Sequence, residues 1–325
     1  MAVIKEINGK STALLTNQVD EVNGTERVNI DEINGQVSPV PVTNFITDKL
    51  FLYYDFDDQL LTDTSGSNQV YDQYSAETGV LSQTGHDAKF SGGTSIVNQT
   101  INGATVKCTY QDGVNDRLYK SAYGTPEAGT GGNHGVNTFG IGPTTNTSGA
   151  TNSNSFQDGF SMETWFKMTG ASSDRPNLWS RFGNNSIRLR FNNIFPSTDN
   201  IIQVIHQTSF GSSTSVSTQT FTSGVFPPNI WYQLVLTITP TTGGNANSYD
   251  MRLYKNGQLV QTAGSRIISP SPFTNDQLFL GSFTQTSSAT GAWKGYIGLA
   301  RAYQKKLSNS EVLNNYIFDR SRFGI

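Results

Sequence analysis

Phe160-Ser-Met-Glu-Thr-Trp-Phe-Lys-Met168 is the stretch on which the fold turns. Successive side chains of a strand point to opposite faces, so Phe160, Met162, Thr164, Phe166 and Met168 share one side. Ser161, Glu163, Trp165 and Lys167 take the other. A helix would scatter these apolar residues around its axis. A strand gathers them on one surface that must be covered. The pattern recurs along the chain. Lys49–Asp57 is rich in Leu, Phe and Tyr, and Ile187, Leu189 and Phe191 alternate with Arg188 and Arg190. Trp231–Thr239 puts Tyr232, Leu234, Leu236 and Ile238 together. Tyr249–Gln261 reads as a hairpin turning at Asn256-Gly257, because both residues of that dipeptide accept positive φ. Leu278–Gly281 and Trp293–Tyr303 are two more strands. Many short strands, each with one apolar face, need a second sheet to cover them. The expected fold is an all-β jelly-roll sandwich of two antiparallel sheets.

One helix is signalled. Leu307-Ser-Asn-Ser-Glu-Val312 contains a capping box, with Ser308 at the N-cap and Glu311 three residues on. Leu307 and Val312 occupy the two positions of a hydrophobic staple, and the helix is expected to run to about Tyr316 or Ile317.

Composition agrees. Of 325 residues only 14% are charged and 35% hydrophobic, while 11% are aromatic and 32 are Gly. Aromatic residues with small polar ones suit sheets and turns, not helices. Net charge is −3 with no block of Lys and Arg, which argues against a phosphate-binding surface and nucleic acid. Apolar runs such as Leu234–Ile238 fall far short of a bilayer span. The single Cys108 cannot form an intrachain disulfide, which fits folding in a reducing cytoplasm. Met1–Gly9 shows no basic stretch followed by an apolar one, so no signal peptide is expected. An adhesin-like composition without an export signal fits a protein released by host lysis.

The first 44 residues stand apart. Every Phe, Tyr and Trp lies at or after Phe45, so this segment can bury little by itself. It repeats a short unit: Ile7-Asn8-Gly9, Val22-Asn23-Gly24 and Ile33-Asn34-Gly35, each preceded by Glu. Unequal spacing excludes a solenoid. The expected form is an arm of short β-segments joined by tight turns, with Val37–Val42 as a stiff, Pro-containing linker to a domain spanning 45–325. Residues 64–155 are expected to be a long insertion in that domain, since Gly124–Asn154 is polar and rich in Gly and Thr.

Five motifs in order resemble the concanavalin A-like, laminin-G-like jelly-roll superfamily over roughly residues 49–318. Leu52–Asp58 with Asp63-Thr-Ser-Gly66 is similar to its first strand and turn. Phe160–Phe166, Trp231–Leu236 and Arg252-Leu-Tyr-Lys-Asn-Gly257 resemble its central strands and hairpin. Lys294–Tyr303 followed by Leu307-Ser-Asn-Ser-Glu311 resembles its closing strand and helix. The arm is similar to the leaders of tailed-phage virion proteins built from repeated Ile/Val-Asn-Gly units.

Motifs for chemistry are scarce. His86, His134 and His206 lie far apart, and Cys108 has no CxxC partner. Metalloprotease, hydrolase and P-loop motifs are absent from the sequence. Hydrolases of the superfamily carry E-x-D-x-E on one strand, so that alternate carboxylates flank the sugar bond. Glu163 has no acidic neighbour two residues away, and the chain is expected not to be an enzyme. Asp55, Asp57 and Asp63 are the candidate ligands for a Ca²⁺ ion, against the alternative that they cap turns and solubilise a strand end. Trp165 shares its face with Glu163 and Lys167 and is the candidate for stacking on a glycan, while Trp231 and Trp293 are expected in the core. Arg181, Arg188 and Arg190 form the only local basic group.

These observations favour a capsid-decorating or fibre-like virion subunit. Its arm anchors it to other virion proteins, and its lectin-like jelly roll is displayed outward as part of a homo-oligomer. A glycan contact is the secondary role, with no membrane insertion. A cellular glycan-binding adhesin is the alternative, and a glycoside hydrolase the third reading.

Overall fold

The computed structural model describes residues 21–22, 25–26, 32–33, 36–37, 44–57, 69–70, 88–114, 116–120, 159–170, 175–182, 186–192, 201–207, 216–240, 248–267, 277–282, 291–303 and 305–325. The leader contributes β1 (Glu21–Val22), β2 (Thr25–Glu26), β3 (Glu32–Ile33) and β4 (Gln36–Val37). The domain follows with β5 (Leu50–Asp55), β6 (Gln69–Val70), β7 (Ala88–Ser91), β8 (Ser95–Ile101), β9 (Ala104–Asp112) and β10 (Arg117–Lys120). Next come β11 (Phe160–Met168), β12 (Asn177–Phe182), β13 (Ser186–Phe191), β14 (Ile201–Gln207) and β15 (Val216–Thr222). The chain closes with β16 (Trp231–Pro240), β17 (Ser248–Lys255), β18 (Gln258–Ile267), β19 (Gln277–Leu280), β20 (Lys294–Tyr303) and the helix α1 (Asn309–Arg320).

Two antiparallel sheets form the sandwich. The first runs β18-β17-β16-β11-β20-β9-β8, with β5 also paired to β20, and the second runs β15-β14-β13-β12-β19-β10-β7-β6. The alternation read from the sequence sets which side chains face inward. Phe160, Met162, Phe166 and Met168 of β11 meet Trp179, Leu189, Phe191 and Val204 of the opposite sheet in one apolar core. Trp293 sits at its centre, edge-on to Phe166 with ring centroids 5.3 Å apart. Tyr249–Lys255 and Gln258–Gln261 do form the expected hairpin, with Asn256 at φ 50° and Gly257 at φ 77°.

Residues 64–155 are not wholly an insertion. Within that range β6–β10 are strands of the two sheets, and β9 pairs directly with β20. Ser95-Ile-Val-Asn-Gln-Thr-Ile101 is rich in β-branched residues, but they fall in adjacent pairs among polar ones, so neither composition nor alternation marks the strand. The hairpin β8–β9 turns at Asn102-Gly103, with φ of 50° and 83°.

The leader has the hairpins its Asn-Gly units predict. β1 pairs β2 across Asn23-Gly24, and β3 pairs β4 across Asn34-Gly35, each ladder two residues long. The unit at Ile7-Asn8-Gly9 lies outside the described residues, as do the turn residues Asn23, Gly24, Asn34 and Gly35, Asp63 and Gly124–Asn154.

The helix starts as read. Ser308 accepts from the Glu311 N–H, and the Glu311 carboxylate accepts from the Ser308 N–H. It ends at Arg320, later than Tyr316 or Ile317. Local signals weaken after Tyr316, but Asp319 is tied to Arg301 of β20 at 2.5 and 3.0 Å, and that tertiary bond holds the last turn.

Candidate functional site

The first sheet is covered on both faces. Its inner face meets the second sheet, and most of its outer face is sealed by α1, the C-terminal residues after it and Phe45–Ile46. Leu307 and Val312, the staple pair, sit with Leu50, Tyr53, Val235, Tyr254 and Tyr303 in one cluster on that side. Phe323 stacks on Trp165 at 4.5 Å and Tyr316 adds a parallel ring at 5.9 Å. Trp165 is therefore 0% exposed and has no face for a sugar, which corrects its reading as the residue that stacks on a glycan. Sequence alternation placed it on the outer face correctly; it could not show that a tail from the far end of the chain lies over it. Trp231 and Trp293 are buried as expected.

A polar network runs under this cover. Glu163 accepts from Gln233 Nε2 at 2.7 Å, Asn315 Nδ2 at 2.7 Å, Trp165 Nε1 at 3.2 Å and Arg301 at 3.4 Å. Its carboxylate is fully engaged and has no solvent access, so it holds structure and cannot serve a substrate as acid or base. Gln233 also accepts from the Gly257 N–H, joining the β17–β18 turn to the same network. Asn315 donates to Tyr303 Oη at 2.9 Å and accepts from the Ile46 N–H at 2.8 Å, so the start of the domain is bonded to its final helix. The Arg301 guanidinium lies 4.0 Å from the Phe45 ring centroid and 4.9 Å from that of Tyr53. Two carboxylates, Glu163 and Asp319, share this one guanidinium. Burial, only partly offset by Arg301, raises Asp319 to about 6.

Two of the Ca²⁺ candidates, Asp55 and Asp57, are tied to the same cover through Arg322. Asp55 accepts from Arg322 at 2.7 and 2.5 Å, from Tyr53 Oη at 2.5 Å and from the Asp57 N–H at 2.9 Å. Burial pushes its carboxyl up, but Arg322 and the other donors win and hold it below the usual range. Asp57 accepts from the Lys107 N–H at 2.9 Å, with Arg322 3.7 Å away. A guanidinium thus occupies the position between Asp55 and Asp57 that a cation would need, which corrects their reading as metal ligands. Among the described residues, no group of three His, Cys, Asp or Glu side chains is placed to hold a metal ion.

At the margin of the cover, one cross-strand row runs from buried Trp231 to partly open Tyr296 and Tyr110. Trp231 pairs with Lys167, Lys167 with Tyr296, Tyr296 with Tyr110 and Tyr110 with Ser95, across β16, β11, β20, β9 and β8. Tyr110 and Tyr296 are half-buried, with ring centroids 5.1 Å apart and planes inclined by 48°. Lys167 Nζ sits 4.7 Å from the Tyr296 centroid and donates to Gln99 Oε1 at 2.7 Å. Burial lowers the Lys167 ammonium and raises the Tyr296 hydroxyl, the latter helped by Cys108 and Tyr110. Aromatic faces beside an ammonium and an amide suit the apolar face and hydroxyl rim of a sugar ring. Sequence reading missed Gln99, Tyr110 and Tyr296. For Gln99 and Tyr110 alone a signal exists: Asn102-Gly103 marks a hairpin, and counting back and forward from it puts both on one face by alternation, whereas nothing local joins Tyr296 to them.

The outer face of the second sheet carries Arg188 and Arg190, on one side of β13 as read. Arg190 donates twice to Gln203 Oε1, at 3.1 and 2.9 Å. Burial, then the neighbouring charges of Arg190 and Arg175, bring Arg188 down to about 10.

Residues 143–313, just over half of the chain, match the family described as the concanavalin A-like lectin/glucanases superfamily. The chain belongs to that superfamily. No curated protein matches it. Similar solved structures of lectin-like jelly rolls include the CBM40 of an IT-sialidase from Ruminococcus gnavus, at 15% identity and TM-score 0.37, covering 48% of this chain and 82% of that one. Domain 4 of AbnA, an extracellular GH43 arabinanase of Geobacillus stearothermophilus solved with arabinotriose, is 16% identical, with TM-score 0.45 over 82% of this chain and 98% of the other. The binding domain of botulinum neurotoxin serotype D is 15% identical, with TM-score 0.46 over 83% and 52%.

Proposed function

We propose that this superfamily member is a non-enzymatic structural subunit of a tailed-phage virion, capsid-decorating or fibre-like. Its leader is anchored on another polypeptide and its jelly roll displayed outward. The observation that carries this reading is the contrast between a sandwich sealed by its own C-terminal tail and a leader without one aromatic residue. Two-residue ladders at Asn23-Gly24 and Asn34-Gly35 bury too little to stand alone. Residues 1–44 act as an anchoring arm and 45–325 as the displayed domain. Deleting 1–44 tests this: the reading expects loss of incorporation into particles, and undiminished incorporation contradicts it.

A second reading, glycan contact at the displayed face, is favoured by the Tyr110–Tyr296 row with Lys167 and Gln99. It expects full-length protein to bind on a glycan array and to lose the signal in a Tyr110→Ala, Tyr296→Ala double variant. An array without binding overturns it.

A further inference from the structure

β8 is an unguarded sheet edge. It terminates the first sheet, and among the described residues no strand pairs on its outer side. Its seven residues, Ser95–Ile101, include no charge, Pro or Gly. They pair with β9 in unbroken register from Ser95↔Tyr110 to Ile101↔Ala104. Natural edges are protected by charge, Pro, bulges, shortness or a covering element, because an edge offers a row of unpaired N–H and C=O groups. The three other ends of the main strand orders have such protection, and β5, which branches off β20, closes on the charged Asp55. β18 carries Gly264 and Arg266 and shows two register breaks against β17. β15 lies against β18, whose Gln261 Oε1 accepts the Thr222 N–H at 3.0 Å. β6 is two residues long.

The side chains of β8 also ask for a neighbour. Ile96 packs toward the inner core, and Val97 and Ile101 toward the outer cluster, yet all three are only partly buried. A strand that completes the burial needs apolar residues on both of its faces and no charge. In the leader the longest run without a charge, Gly or Pro is Ser11-Thr-Ala-Leu-Leu-Thr-Asn-Gln-Val19. Its adjacent Leu14 and Leu15, the only leucines before Leu50, would fall on opposite faces. Nine residues are enough to span the seven of β8.

We infer that β8 accepts Ser11–Val19 from the leader of a second copy of this chain as an added strand that continues the antiparallel order of the sheet. This rests on the reading that another polypeptide holds the leader, and identifies that polypeptide and the edge. Main-chain hydrogen bonds supply the attachment, and Leu14 and Leu15 cover the two half-open faces. Each subunit offers one leader and one edge, so copies join head to tail into a ring or a row.

Disulfide trapping in the full-length chain tests it. Cys108 is buried, with its thiol pushed up to about 12, so it stays silent. Thr12→Cys and Thr100→Cys are made as single variants and mixed. The expected result is a mixed covalent dimer on oxidation, which neither variant gives alone. A second variant, Asn98→Lys with Thr100→Lys, is expected to weaken self-association about tenfold or more while leaving the melting temperature of the sandwich in place, charge on an edge being the usual deterrent to pairing. A Thr12→Cys, Thr100→Cys double variant that links only within one chain overturns the proposal, as does normal self-association of the two-lysine variant. If the leader links elsewhere on another subunit, the edge is wrong and the anchoring reading stands. If no link forms and deletion of 1–44 leaves particle incorporation unchanged, both fail.

Discussion

The same Asn-Gly dipeptide separates paired strands in two regions with different outcomes. In the leader, Asn23-Gly24 and Asn34-Gly35 each join strands of two residues. In the sandwich, Asn102-Gly103 joins strands of seven and nine. The dipeptide is common to all three, so it does not set the length of the ladder. What differs is the support beneath. β9 is bonded to β20, and its Val106 and Cys108 are buried by the cluster around Phe323. In the leader, Glu21 falls in register with Glu26 at the end of a ladder of two residue pairs. A turn can start a hairpin anywhere, but only burial extends it.

This comparison predicts that damage to the sandwich appears in stability and damage to the leader in assembly. The largest effect belongs to Arg301→Ala, which strands Glu163 and Asp319 as buried carboxylates without their guanidinium. Denaturant titration is expected to show a loss of about 3–5 kcal/mol, whereas removal of 1–44 is expected to leave the same midpoint unmoved. An equal loss from both changes would break the distinction.

Gly298→Ala comes next. A Cβ there would lie 2.3 Å from the Phe323 ring, so the tail must lift off Trp231. The expected cost is about 1–3 kcal/mol, with a change in tryptophan fluorescence as Phe323 leaves Trp165.

Gly103→Ala compares the two regions most closely. Its φ of +83° strains any L-residue, and the expected cost is about 1–2 kcal/mol. A Gly24→Ala, Gly35→Ala variant is expected to melt at the wild-type temperature. A fall in its melting temperature would mean that the leader contributes to the sandwich.

The smallest effect is in pH. The carboxyl of Asp319 sits at about 6 in the folded state, above its ordinary value, so its contribution to stability is fully present below about pH 4 and lost as pH rises through about 6. Asp55 is held low and acts in the opposite sense, its contribution being lost as pH falls below the ordinary carboxylate range. Stability is expected to rise by roughly 1 kcal/mol from about pH 7 to about pH 5 and then to fall again at lower pH. Asp319→Asn should remove the rise; a rise that persists in this variant assigns it to another group.

Much of the fold was legible because alternation is a local property. Phe160–Met168, Trp231–Thr239 and Lys294–Tyr303 could each be placed on a face from their own residues, and Ser308 with Glu311 marked the start of α1. The candidate site was less legible because cover is not local. Alternation separates Trp165 from Phe166 and its inward neighbours, yet what lies over Trp165 and Asp55, Phe323 and Arg322, comes from the end of the chain. Nothing near either residue encodes that approach. Tyr110 and Tyr296 were hidden for the same reason: 186 residues separate them in sequence, and only the β9–β20 register brings them together.

Hydrogen–deuterium exchange on the dilute, full-length monomer and on the assembled particle tests the central claim most directly. The account predicts that amides in 1–44 exchange at unprotected rates in the monomer, while Phe160–Met168 is strongly protected, and that the leader gains protection on assembly. A monomer whose leader is already as slow to exchange as its sheets would contradict it.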